Sequence, residues 1–270
     1  MRPPLVLAMS SADSDGAAGL PADLKTFTAL GVYGAGVTTM VCSATTQGVG
    51  DVHHLPPAVI RSQIDAVVGD LLIDAVKIGM LGEATLVDAV GAWLRRRRPP
   101  HVVLDPVMVA TTGGRLASDD AAHMLRDLVP LVDLVTPNVP ELGVLCGMET
   151  ATDIEGIVGQ AELVHEQSGS AVLATTGDLD DGSAEDVLVE SEGRRRTTLR
   201  LPFVRIDTPH THGTGCSLSS ALATARVGAT DWEAAYRRVR PWMDGALHGG
   251  LSLEVGQGSG PLDHTWFLRR

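Results

Sequence analysis

Short apolar runs, each closed by a polar or turn-forming cluster and most followed by a helix-spaced segment, recur along this sequence. Residues 5–9 stop at the glycine-bearing stretch 10–19, and Leu24, Phe27 and Leu30 then follow at helical spacing, with Gly31 placed to end the helix. Runs at 37–42, 75–78, 102–104, 134–136 and 171–174 read as strands. Segments 57–68, 85–96 and 154–167, and those beginning at 118, 215 and 231, read as helices. Two further apolar runs, 187–189 and 197–203, flank a charged turn and read as a hairpin. Strands this short and apolar are buried on both faces. The pattern therefore predicts an α/β fold with a central, mostly parallel sheet and helices on both sides. With 270 residues and no compositional seam, a single domain spanning 1–270 is the expectation.

In such sheets ligands sit at the carboxyl ends of the strands. The polar clusters at 11–19, 44–47, 79–80, 105–108, 138–141 and 175–178 all fall just after a strand, so the topology alone predicts that they converge. One further segment carries explicit chemistry. Thr211-His212-Gly213-Thr214-Gly215-Cys216 is a glycine-rich turn feeding a run of small residues that starts a helix. Backbone N–H groups converging at a helix N-terminus form a site for a phosphate in transfer. Cys216 lies where turn becomes helix, a position that lowers a thiol's pKa and favours the thiolate. A plain helix-starting turn fits the same residues equally well.

Phosphoryl transfer needs an anion cradle, a magnesium handle and a group for the acceptor's proton. Gly213–Gly215 suit the first, and Asn138 and Glu141, with two prolines fixing the backbone, offer oxygens to Mg²⁺ or its water shell. Asp105 adds a carboxylate, and an ionised Cys216 could serve as base. Each has a structural alternative. Asn138 and Glu141 suit the cap and first turn of a short helix, and Asp105 before Pro106 suits a turn. Their joint position at successive strand ends favours the chemical reading. No Gly-Lys-Ser/Thr loop of the Walker type is present, which excludes a P-loop kinase.

A formal charge of −12 argues against nucleic acid or an anionic membrane surface as partner. The arginine runs 95–98 and 194–196 read as a helix C-terminus and a solvated hairpin arm. Three widely spaced cysteines suggest neither a disulfide framework nor a metal cluster. With no leader pattern and no apolar run of membrane length, a cytoplasmic location is the expectation.

The residues resemble the hydroxymethylpyrimidine/phosphomethylpyrimidine kinases, thiamine-biosynthesis enzymes of the ribokinase superfamily. The likeness runs through Asp13, Gly16, Ala18-Gly19, Ala22-Asp23-Leu24-Lys25-Thr26-Phe27 and Ala29-Leu30-Gly31-Val32-Tyr33-Gly34. It continues through Lys77-Ile78-Gly79-Met80-Leu81-Gly82, Asp105-Pro106-Val107-Met108-Val109 and Thr136-Pro137-Asn138-Val139-Pro140-Glu141. The turn at 211–218 and Gly260-Pro261-Leu262-Asp263-His264 complete it, so it covers nearly the whole chain. The resemblance implies a ribokinase-like fold, ATP as phosphoryl donor with Mg²⁺, and two successive phosphorylations of a pyrimidine. It puts Cys216 at the catalytic cysteine, Gly213 and Gly215 in the anion hole, and Asp105 among the catalytic and metal positions with Glu141. Asn138, Thr175, Gly177 and Thr214 fall at nucleotide positions. Ser11, Asp23, Ala44, Met80 and Val107 fall at substrate positions. Relatives often form dimers, so a homodimer is expected.

Three departures from the family pattern stand out. Ser11 replaces a glycine whose backbone lies close to the substrate, and its Cβ would narrow the pocket. Ala44 replaces a glutamine that pairs with the pyrimidine's amino edge, a hydrogen bond worth about 0.5–1.5 kcal/mol. Thr175-Thr176-Gly177 replaces Lys-Gly-Gly and removes a cation near the ATP phosphates. Three readings stay open: the pyrimidine kinase, with compensating contacts from Thr45 or Gln47; a pyridoxal or pyridoxine kinase of the same subgroup; and a relative that binds a pyrimidine or nucleotide without turnover. The retained Cys216, Asp105 and Glu141 argue against the last. The loops 44–57 and 179–186 are candidate covers over the site.

Overall fold

The computed structural model describes residues 2–108, 118–177, 184–193 and 195–269. The chain opens with β1 (Leu5–Asp13), α1 (Gly19–Ala29), β2 (Tyr33–Thr45) and β3 (Gly48–His54). Then come α2 (Pro57–Asp70), β4 (Ala75–Ile78), α3 (Ala84–Arg97), β5 (Val102–Leu104) and α4 (Asp119–Leu128). The third quarter holds β6 (Leu134–Val135), α5 (Val139–Cys146), α6 (Ile154–Ser168) and β7 (Ala171–Ala174). The chain closes with β8 (Glu185–Glu192), β9 (Arg195–Pro202), α7 (Thr214–Arg226) and α8 (Trp232–Gly250).

These strands form one nine-stranded sheet in the order β3-β2-β1-β4-β5-β6-β7-β8-β9. The six central strands, from β2 to β7 in that order, are parallel; β3 pairs antiparallel to β2 at one edge, and at the other β8 pairs antiparallel to β7 and β9 to β8. The sheet is thus mostly parallel, as the sequence pattern predicts.

Alternation along each strand divides the core in two. Leu7 and Met9 of β1 join Ile78, Leu104 and Val135 in a layer with residues of α2 to α6. Val6 and Ala8 point the other way, into a layer with Val103, Leu134 and residues of α1, α7 and α8. This is why the strands read as unbroken apolar runs. Arg95, Arg96 and Arg97 occupy the last turn of α3, where a helix dipole favours cations.

The first edge departs from expectation. The sequence reading ends β1 at Met9 and leaves 44–57 as a loop, whereas β1 and β2 run on to Asp13 and Thr45 and β3 pairs back on β2. Most of β3 is exposed or half-buried, so it lacks the apolar alternation that would betray a strand. Its backbone pairing, not burial, fixes it. Of the other cover candidate, residues 179–183 lie outside the described residues, as does Arg194 of the second arginine run.

Candidate active site

The strand ends converge on one cavity. Ser10, Ser11 and Asp13 come from β1, Cys42 from β2, and Met80, Asp105, Val107, Asn138 and Thr175 from the segments after β4, β5, β6 and β7. The turn 211–216 closes one side, and Phe203, Arg205 and Arg240 another. Of the residues singled out in the sequence, Ser11, Met80, Asp105, Val107, Asn138, Glu141, Thr175, Gly177, Gly213, Thr214, Gly215 and Cys216 all line this cavity.

Two do not. Ala44 is buried in β2, its N–H and C=O both 2.9 Å from the Ser14 hydroxyl, and is absent from the wall. Asp23 is also absent: α1 turns it inward, where it is completely buried beneath the cavity floor. Asp23 Oδ1 there accepts from Lys77 Nζ at 2.8 Å and from Ser220 Oγ at 2.7 Å. Its assignment as a pocket-lining residue is corrected by that pairing, because a buried carboxylate goes to its cation rather than to the cavity.

Gly213 caps α7 at φ +83°, the left-handed region that favours glycine. A Cβ there would lie 1.9 Å from the Ala17 carbonyl oxygen. The close approach locks the turn against the loop after β1. Gly19, at φ +58°, brings the start of α1 equally close to β1, since a Cβ would meet the Ser11 carbonyl oxygen at 2.3 Å. The Thr214 hydroxyl and N–H both donate to the Thr211 carbonyl, at 2.7 and 3.1 Å, which tightens the turn where Gly213, Thr214, Gly215 and Cys216 line the cavity. Next to it, His212 Nε2 lies 3.2 Å from Asp15 Oδ2, both side chains almost fully buried.

Lys77 is the functional-site residue that sequence reasoning missed. It is a lysine inside the four-residue buried strand β4, completely shielded from solvent. Its Nζ also lies 3.7 Å from Asp105 Oδ2, so one cation serves two carboxylates. Burial pushes the Asp23 and Asp105 carboxyls up, and Lys77 opposes it. Ser219 of α7 donates to Asp105 at 3.0 Å. The signal was legible: a charge in the middle of a core strand must have a buried partner.

Cys216 reverses the sequence argument. Burial pushes its thiol up to about 12; Lys77 pulls down, Asp105 and Asp23 push further up, and the Gly19 N–H favours the thiolate. The helix N-terminus does not prevail, and the group is a thiol at neutral pH. That thiol hydrogen-bonds Asp105, which lowers the carboxyl's pKa against the effect of burial.

Asn138 and Glu141 form a reciprocal capping box on α5. Asn138 Oδ1 accepts from the Glu141 N–H and Glu141 Oε2 from the Asn138 N–H, both at 2.9 Å. The structural alternative left open by the sequence is therefore real, and both residues still line the cavity. No cluster of three or more His, Cys, Asp or Glu able to hold a metal occurs among the described residues. The described donors therefore offer no all-protein cage. A hard, hydrated ion shared between one carboxylate and substrate phosphates matches them.

The nucleotide-side positions follow β7. Thr175 bridges to Asn138 and lines the cavity with Gly177. Asp186 of β8 is buried beside them, accepting from the Thr176 N–H at 3.0 Å and from the Tyr236 hydroxyl at 2.8 Å.

A parallel α/β sheet whose strand ends carry an anion-binding helix start and hard-oxygen donors defines a phosphotransferase of the ribokinase-like class. Comparison with known proteins makes this specific. Residues 13–263 match the phosphomethylpyrimidine kinase family, and the chain belongs to that family. It is 41% identical to the hydroxymethylpyrimidine/phosphomethylpyrimidine kinase of Escherichia coli (strain K12) over 96% of both chains. It is 40% identical to a thiamine biosynthesis multifunctional protein of Corynebacterium efficiens, of which it spans about a third (36%) while 99% of the present chain is covered. Among solved structures, an ADP complex of Bacillus subtilis pyridoxal kinase superposes with TM-score 0.87 at 28% identity, covering 99% of this chain and all of that one. A phosphomethylpyrimidine kinase from Clostridium difficile 630 superposes with TM-score 0.76 at 30% identity over 89% and 98% of the two chains.

Proposed function

We propose that this chain phosphorylates 4-amino-5-hydroxymethyl-2-methylpyrimidine and then its monophosphate, using Mg-ATP, as a step of thiamine biosynthesis. The observation that carries the reading is the single cavity joining the Gly213–Cys216 turn to Asp105 and to the Asn138–Glu141 pair. Its apolar end, lined by Cys42, Val49, Met80 and Val107, suits a flat heterocycle. Residues 1–270 act as one catalytic unit in this reading. We retain a homodimer as the assembly, to be checked by light scattering.

The amides at the start of α7 receive the transferring phosphoryl group. Cys216 faces the acceptor. As a thiol it cannot begin by taking a proton, so the acceptor hydroxyl gives its proton to sulfur while the thiol proton passes to Asp105. The new bond joins the hydroxyl oxygen to phosphorus, and the leaving diphosphate takes the electrons of the broken bond. Asp105 is suited to the transfer because burial raises its carboxyl pKa. We assign magnesium to Glu141, which lines the cavity while its oxygens accept from the Asn138 and Met108 N–H groups. The bound ion would supply charge neutralisation on the phosphates.

A pyridoxal kinase is the competing reading, favoured by the close superposition on a pyridoxal kinase and by Ala44 in place of the family's glutamine. Steady-state ADP release with Mg-ATP and each acceptor separates them. Turnover on the pyrimidine supports the first reading, and turnover on pyridoxal alone supports the second. Binding of the pyrimidine without turnover on either would make the chain a non-catalytic relative.

A further inference from the structure

We infer that Arg240, from helix α8, supplies the cation for the nucleotide's phosphates that Thr175 lacks. The inference rests on the phosphotransferase reading of the cavity and names a residue within it. A nucleoside diphosphate or triphosphate brings two to four negative charges into a cavity already lined by Asp13, Asp105, Glu141 and Asp186. Lys77 is already shared between Asp23 and Asp105 and has no exposed surface. The arginines among the described lining residues are Arg205 and Arg240. Arg205 is an exposed residue on the segment after β9, whereas the Arg240 side chain is only 17% exposed and held on three sides.

Its Nε and Nη2 reach Asp244 Oδ1 at 2.7 and 2.6 Å, one turn along the helix. Its guanidinium lies over the Phe203 ring, 4.6 Å from the centroid. One turn earlier, Tyr236 donates to Asp186, and Asp186 accepts from the Thr176 N–H. This chain of contacts fastens α8 to the end of β7, beside Thr175. Asp244 takes one edge of the planar fork, and the guanidinium also hydrogen-bonds the Tyr236 hydroxyl and faces the charge of Asp186. A fork fixed in this way meets phosphate oxygens with little loss of side-chain freedom. The missing lysine is thus replaced from a different element, by a residue about 65 positions further along the chain.

The test compares ADP with adenosine by isothermal titration calorimetry, because only ADP carries phosphates. Arg240→Met should weaken ADP by about tenfold or more and leave adenosine within about twofold. Adding Thr175→Lys to that variant should return ADP to within about threefold of the parent. Should Arg240→Met lower the melting temperature, Arg240→Gln, which keeps a donor toward Asp244, gives the same comparison. An unchanged ratio of ADP to adenosine affinity would overturn the assignment, and so would equal losses for both ligands, which would make Arg240 a brace for α8. If the parent chain failed to bind ADP at all, the phosphotransferase reading itself would fall, and this assignment with it.

Discussion

Replacing Lys77 with methionine puts the buried charge network under the sharpest test. Lys77 Nζ lies 2.8 Å from Asp23 Oδ1 and 3.7 Å from Asp105 Oδ2, with no part of the lysine exposed. At an effective dielectric of about 20, the closer pair alone attracts by about 6 kcal/mol. Desolvation of both ions consumes much of that, so the pair's net value is small. The orphaned carboxylates are another matter: stranding a buried charge typically costs about 3–5 kcal/mol. Against a total stability of about 5–15 kcal/mol, Lys77→Met should be a severe but foldable lesion. Methionine fills the lysine's volume, so cavity formation contributes little. The assay is urea unfolding, read as a lower midpoint at unchanged slope. Asp23→Leu on the Lys77→Met background removes one stranded carboxylate. The double variant should therefore recover about 2 kcal/mol relative to the sum of the single losses. A Lys77→Met loss below about 1 kcal/mol, or simple additivity in the cycle, would refute the reasoning.

Three further outcomes are expected. Cys216→Ala should reduce kcat by about a hundredfold or more while ADP affinity stays within about threefold, measured by ADP release and calorimetry; full activity would remove the cysteine from proton transfer. The parent thiol, held near 12, should react with iodoacetamide far more slowly at pH 7 than a free cysteine does. Gly213→Ala must move the Ala17 carbonyl and enter a left-handed backbone region, so it should lower both thermal stability and turnover, seen by calorimetric scanning and the kinase assay. His264, buried against Ser217 Oγ at 2.9 Å, has its pKa lowered from 6.5 to about 4 by burial. The unfolded chain binds this proton first, so stability is full above pH 6.5 and declines as pH falls from there toward 4. The loss between pH 8 and pH 5 is about 2 kcal/mol, and His264→Gln should flatten that part of the urea-midpoint profile.

Much of the sheet was legible because β4, β5, β6 and β7 are buried on both faces, which leaves them as apolar runs bounded by turns. The site was legible for the same reason, since a parallel sheet gathers whatever follows its strands. What escaped was structure held by pairing alone. β3 is Gly48-Val49-Gly50-Asp51-Val52-His53-His54, whose side chains mostly face solvent and carry no period. Cys216 misled because a local argument about the helix N-terminus neglected what lies behind the sulfur. Burial of the sulfur, and next to it the charges of Asp105 and Asp23 from distant parts of the sequence, exist only in the folded chain. Asp23 misled in the opposite sense: its place in a shared motif reflects a buried pairing with Lys77.

The most direct measurement follows the phosphorus. Incubation with Mg-ATP and 4-amino-5-hydroxymethyl-2-methylpyrimidine, monitored by ³¹P NMR, should show a pyrimidine monophosphate rise first and a diphosphate grow at its expense, with one ADP released for each phosphoryl group moved. No phosphorylated pyrimidine, with ADP release confined to pyridoxal or absent altogether, would contradict the proposed activity.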